Sequence, residues 1–254
     1  MKFLLIACLP AFAVVSPVVA MDVNEIVDSA ERSFTQTSVY TVSEMTSYVG
    51  DRERRSFSLE SYTLIADGVT RWLTVFNEPP RMRGTAYLSV GEDVWVRFGS
   101  TGRVRKLTSA GRRESAGGTD FSYADLGEGG GGGISADYFL RLIDDRSRRD
   151  GVPSYEIELT PKPGSPAAYE KLVAYVSHDD FRYLAVEYFD SGAHTKTLTL
   201  SDYRTVDGVD YPFLVTMRNL ARDTHTEIIM RSIEFDTDRI RESMFSEEYL
   251  NQME

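Results

Sequence analysis

Residues 72–88 read WLTVFNEPPRMRGTAYL, residues 93–98 read DVWVRF and residues 118–126 read GTDFSYADL. In the first two segments bulky apolar and aromatic side chains recur in short runs rich in Thr, Val, Tyr and Phe. These runs are broken by Pro, Gly and Arg. A run of four to eight such residues bounded by turn formers is a strand signal. The connections are too short for a parallel return, which needs a dozen or more residues, so neighbouring strands are expected to be antiparallel.

The same period of two extends in both directions. Strands are expected at 38–49, 53–66, 69–77, 83–90, 93–99 and 102–107. Gly50-Asp51, Asp67-Gly68, Gly91-Glu92-Asp93 and Ser100-Thr101-Gly102 mark the hairpins between them. Six more are expected at 152–161, 169–177, 181–190, 194–206, 211–220 and 224–236. Their turns fall at Asp179-Asp180, Ser191-Gly192 and Asp207-Gly208. Tyr155, Ile157 and Leu159 alternate with Glu156 and Glu158, as in a sheet with one wet face.

Three segments break this period. Val23, Ile26, Val27, Ala30 and Phe34 lie on one face of a helix over 22–34. Residues 108–133 form a long connection containing a glycine run, Gly127 and Gly129–Gly133, which reads as a hinge or a linker. Tyr138, Phe139, Leu142 and Ile143 sit at helical spacing, so a second helix is expected over Ile134–Arg146 with Ser135 as its cap. A short terminal helix is expected over Met244–Leu250. The architecture is therefore mainly β: one strongly curved antiparallel sheet of about 11–12 strands, an unclosed barrel covered by helices.

The chain opens with Met1-Lys2, an apolar run from Phe3 to about Val15 and small residues at Val18 and Ala20. That is the layout of a secretory signal peptide, with cleavage expected after Ala20 and one domain over 21–254. The single cysteine, Cys8, lies inside this segment. Leu5-Ile6-Ala7-Cys8 imitates a lipobox but leaves only seven residues ahead of the cysteine, so the lipid-anchored form is not the expected one. Loss of Lys2 would leave 27 basic residues against 39 acidic ones, a net charge of −12. A balance this acidic disfavours nucleic acid or an anionic membrane surface as the main partner. With 42% hydrophobic and 11% aromatic residues the chain has ample material for a core.

Catalytic motifs are missing. His178, His194 and His225 fall in or beside turns without zinc-ligand spacing. There is no G-x-S-x-G elbow, and the glycine run lacks the Lys and Ser/Thr of a phosphate loop. Asp144-Asp145 and Asp179-Asp180 are consecutive and cannot face each other as a glycosidase pair does. The basic cluster Arg103, Arg105, Lys106, Arg112 and Arg113 reads as a solvated face, with an anion grip as the alternative. No catalytic residue, metal or cofactor is expected, and a non-enzyme is the favoured class. What remains is aromatic and apolar area: Trp72, Phe76, Tyr87, Leu88, Trp95, Phe98, Phe121, Tyr123, Tyr138, Phe139 and Leu142 are the candidate lining of an apolar cavity.

The succession Phe76 and Pro79, Gly84-Thr85-Ala86-Tyr87-Leu88, Trp95, the Arg103-Val104-Arg105-Lys106 turn and Gly118-Thr119-Asp120-Phe121-Ser122-Tyr123 resembles the LolA-like outer-membrane lipoprotein-sorting family. The resemblance implies an unclosed β-barrel whose open side is covered by helices. It also implies a periplasmic carrier that holds acyl chains of lipoproteins or lipids and passes them from an inner-membrane donor complex to an outer-membrane acceptor, with chaperone character. By it the strands of residues 69–98 would line the cavity, residues 108–146 would include a lid, and Arg81 or Arg83 would gate it. A monomer is favoured. The same fold also resembles a lipid-sensing or protein-interaction module that regulates sigma-factor release. A hydrolase acting on lipid or glycan is the third class.

Overall fold

The computed structural model describes residues 21–32, 36–128, 137–165 and 167–253. The predicted signal segment, the Ser135 cap and Gly129–Gly133 lie outside them. Thirteen strands form one antiparallel sheet in the order β6-β5-β4-β3-β2-β1-β13-β12-β11-β10-β9-β8-β7. They are β1 (Ser38–Val49), β2 (Arg52–Ala66), β3 (Val69–Glu78), β4 (Ala86–Val90), β5 (Asp93–Arg97), β6 (Val104–Lys106), β7 (Tyr138–Arg149), β8 (Val152–Pro161), β9 (Lys171–Ser177), β10 (Tyr183–Asp190), β11 (Ala193–Val206), β12 (Val209–Asn219) and β13 (Thr224–Phe235). β6 and β7 are unpaired edges, so the sheet does not close.

The hairpins follow from turn chemistry. Asp67-Gly68, Ser191-Gly192 and Asp207-Gly208 all place both residues at φ between 50° and 81°. A two-residue turn matching the right-handed strand twist needs that conformation, and glycine adopts it without strain.

The predicted helix over Ile134–Arg146 is corrected: the described part of it is strand β7. Tyr138, Leu140 and Leu142 pack inward while Phe139 and Ile143 are exposed. Two adjacent apolar pairs imitate a helical stripe, yet here alternate residues are used. The partner β8 supplies the ladder, pairing Leu140 with Leu159 and Leu142 with Ile157. This raises the strand count to thirteen. The predicted strand 83–90 also shortens, because residues 79–85 form a turn before β4. The connection 108–133 contains two short helices, α2 (Ser109–Arg112) and α3 (Tyr123–Glu128).

Curvature is forced by a contact across the sheet. The Tyr123 ring lies 4.9 Å from that of Tyr87 on β4, while Asp125 Oδ2 is 3.1 Å from Lys196 Nζ on β11. β4 and β11 are six places apart in the strand order. Flat, they would be separated by about 29 Å. Two residues of one short helix reach both only if the sheet bends round it.

The two faces of the sheet are covered differently. The inner face packs against α1 (Val23–Arg32), through fully buried Ile26, Val27 and Ala30, and against Leu107–Leu126. The outer face of β2–β5 is covered by a 3₁₀ turn (Glu242–Met244) and α4 (Glu247–Gln252), which bring Met244, Phe245 and Leu250 onto Leu73, Ala86 and Leu88. Ser246 caps the start of α4 by accepting from Tyr249 N at 3.1 Å. Buried Arg97 donates to the Met253 carbonyl at its end and to Gly84 O at 2.6 Å. A guanidinium there satisfies a carbonyl left free by the helix and opposes its dipole.

Candidate functional site

The inner face carries a large apolar cluster built by strand alternation. β2 supplies Phe57 and Leu59, β3 Trp72 and Phe76, β4 Tyr87, and β5 Val94 and Val96. From the far half come Tyr138, Ile157, Leu172, Val176, Val186 and Met217. Phe57, Phe76, Tyr87 and Tyr123 form an edge-to-face run with centroid spacings of 5.4, 5.1 and 4.9 Å. This geometry sets ring edges against π faces, worth about 0.5–1.5 kcal/mol per pair beyond burial. Burial pushes the Tyr87 phenol far above its ordinary pKa, with the neighbouring Tyr123 adding to it.

Of the eleven candidate lining residues, Trp72, Phe76, Tyr87, Phe121 and Tyr138 are buried in this inner cluster, and Tyr123 and Leu142 pack against it. Leu88 and Trp95 are corrected: they point to the outer face and pack under the C-terminal segment, with Trp95 Nε1 donating to Glu247 Oε2 at 3.2 Å. The reason is parity. Leu88 follows Tyr87 and Trp95 lies between Val94 and Val96, so each takes the opposite side of the pleat. Phe98 and Phe139 lie outside both clusters, 38% and 57% exposed.

The polar fastening of segment 107–128 comes from residues the sequence reading passed over. The predicted gate Arg83 is committed to its own turn, 2.6 Å from Glu78 Oε1 and 3.2 Å from Asn77 O. Arg81 is exposed in that same turn. The arginine that reaches the segment is Arg55, whose Nη1 donates to Gly117 O at 2.9 Å and Gly118 O at 3.2 Å. Gly118 has φ +75°, and a Cβ there would come within 1.8 Å of that guanidinium nitrogen.

Two buried carboxylates complete the fastening. Asp120 accepts from the hydroxyls of Thr224 and Thr226 on β13, the latter at 2.8 Å, and its N–H donates back to Thr226 Oγ1 at 3.0 Å. Asp125 accepts from Tyr169 Oη at 2.7 Å and from Lys196 Nζ at 3.1 Å. Within the segment, Asp125 also accepts from Ser122 N at 2.6 Å, and Ser122 Oγ accepts from Asp125 N at 3.1 Å. That reciprocal pair is a capping box at the start of α3, and Ser122-x-x-Asp125 was its visible signal. Nothing local announces Tyr169 or Lys196, which lie 44 and 71 residues away in sequence.

Among the described residues no three His, Cys, Asp or Glu side chains converge on a point. The histidines serve as stacking partners, His225 on Tyr48 at 4.7 Å and His178 against Tyr155 at 4.2 Å.

An open curved sheet with a covered inner face defines the LolA-like class of fold, and the solved structures it matches agree. A crystal structure described as an outer membrane lipoprotein-sorting protein domain from Vibrio parahaemolyticus aligns with TM-score 0.78 at 22% identity, over 91% of this chain and 100% of that one. A DUF1329 family protein from Desulfovibrio piger aligns with TM-score 0.80 at 23% identity, over 90% and 98%. A LolA superfamily protein from Nitrosomonas europaea aligns with TM-score 0.75 at 19% identity, over 91% and 100%. At these identities the likeness is one of fold. No curated protein matches the chain. A family model described as an uncharacterized protein matches residues 68–252, and the chain belongs to that family.

Proposed function

We propose that this protein is a carrier rather than an enzyme, and that it holds acyl chains of lipoproteins or lipids against the inner face of the sheet. The observation that carries the reading is that face: a large apolar and aromatic cluster covered by pieces of the same chain. Removing a methylene from water contributes about 0.8 kcal/mol, so one long chain seated there is held firmly without covalent chemistry. The cover and the lipid compete for one surface, so loading displaces Leu107–Leu126. On this reading the protein works in the periplasm after export, accepts cargo from an inner-membrane donor complex and releases it to an outer-membrane acceptor. The fold shared with a domain described as lipoprotein-sorting supports that direction.

Native mass spectrometry of gently purified protein tests the reading. The expected spectrum carries a co-purifying acylated lipoprotein or lipid, or gains lipid when it is added. A ligand-free mass with no uptake of added lipid overturns it. Amide exchange across residues 116–126 is expected to quicken on lipid loading. Unchanged protection in a loaded sample would rule out displacement of the cover.

A further inference from the structure

A cation stands on the inner face, close to its rim. Lys196 shares the parity of Leu198 and Leu200 on β11, which pack against the inner cluster, so it points inward with them. It lies opposite Tyr188 on β10 and Asn219 on β12. The hairpins after β10 and β12 close just beyond this row. The next row inward on the same three strands is Val186, Leu198 and Met217, which is wholly apolar. A charged mouth therefore leads directly into hydrocarbon-like lining.

The counter-ion of Lys196 belongs to the cover, not to the sheet. Lys196 Nζ donates to Asp125 Oδ2 and to Tyr169 Oη, each at 3.1 Å, and Tyr169 Oη donates to Asp125 Oδ1 at 2.7 Å. Both oxygens of one carboxylate are thus held by a cation and a phenol, and the phenol ring rests against Tyr188 at 4.7 Å. Among the described residues no other carboxylate pairs with Lys196. Lys196 on β11 and Tyr169, just ahead of β9, stay with the sheet when α3 is displaced, and Asp125 leaves with α3. A neutral ligand that displaces α3 strands the lysine charge at an apolar mouth, which is costly. A ligand shifts an equilibrium only by its differential affinity for the two states, so one that brings its own anion opens the cover at less cost. Stability alone does not call for the pair, since a buried ion pair is often no better than apolar residues of the same volume.

We infer that Lys196 and Tyr169 form an anion-binding subsite for the carboxylate or phosphate head of an amphiphile, and that Asp125 occupies this subsite in the covered state as an internal competitor. The inference rests on the carrier reading and narrows its ligand to a class defined by charge. The head replaces the Asp125 carboxylate, and the hydrocarbon runs inward past Leu198 and Val186.

Calorimetric binding of dodecanoate, dodecyl phosphate and dodecanamide, matched in chain length, to the purified protein tests the subsite. One charge-assisted contact recovered corresponds to about tenfold in affinity. At least one of the two anions is therefore expected to bind about tenfold tighter than the neutral amide, and the tighter of them names the headgroup. Asp125→Asn removes the competitor, so the preference for the anion is expected to widen. In Lys196→Met combined with Asp125→Asn it is expected to fall toward one. An equal gain for anion and amide in Asp125→Asn would mean that the pair only fastens the cover, and would overturn the subsite. Anions binding no tighter than the amide to the unaltered protein would overturn it too, and leave the carrier reading standing. Binding of none of the three would overturn both. If a variant does not fold, the comparison in the unaltered protein decides alone.

Discussion

Asp125 has its carboxylate all but sealed from solvent, with side-chain exposures of 1% for Asp125 and 16% for Lys196. Leaving either charge behind alone is expensive, because desolvation is no longer offset by its partner. Lys196→Met is expected to lower unfolding free energy by about 2–4 kcal/mol. A urea transition unshifted from that of the unaltered protein would refute the ion pair as a fastening. Lys196→Met combined with Asp125→Asn is expected to cost less than the two changes summed, since the second removes the stranded charge. Ser122 and Asp125 were legible as a capping box in sequence. Their anchors on β11 and beside β9 were not, since no local pattern encodes a contact 71 residues long.

Parity within a strand decides what each element contributes. β4 places Tyr87 on the inner face and Leu88 on the outer one. Leu88→Ala is expected to destabilise by about 2–4 kcal/mol through the cavity left under α4, with lipid uptake unchanged. Phe76→Ala is expected to cost about 3–5 kcal/mol and also to weaken uptake. Denaturation and lipid binding measured on both variants check this. Loss of uptake in Leu88→Ala at a temperature where it remains folded would contradict the division of faces. β7 teaches the complementary lesson. Tyr138, Phe139, Leu142 and Ile143 fit a helix and a strand alike, and only pairing with β8 breaks the tie. Spacing alone could not, because two doublets separated by two residues satisfy both periods.

For the molecule as a whole, phenols buried by the sheet govern behaviour in base. Burial raises Tyr62, Tyr87, Tyr183 and Tyr203 well above the ordinary tyrosine value, and Tyr175 and Tyr211 are pushed up to about 12. Unfolded tyrosines ionise near pH 10. Above that the unfolded chain binds fewer protons than the folded one, so unfolding becomes easier as pH rises. The contribution is intact below pH 10 and drains away between there and the folded values. Phenolate absorbance is expected to appear together with loss of far-ultraviolet circular dichroism in a base titration. Smooth ionisation near pH 10 with the sheet intact would contradict this.

The chain by itself determined the strand-rich class, most hairpins, the amphipathic first helix and the open barrel that its motifs resemble. These are written in short-range chemistry: glycine and aspartate where φ must be positive, and alternation where one face is buried. The tertiary structure alone decided which aromatics share a face across the sheet, that residues 138–149 join it as an edge strand, and which groups hold segment 107–128 in place. Each depends on curvature that brings β4 and β11 to opposite sides of one short helix. Curvature is a property of all thirteen strands acting together, so no window of sequence contains it.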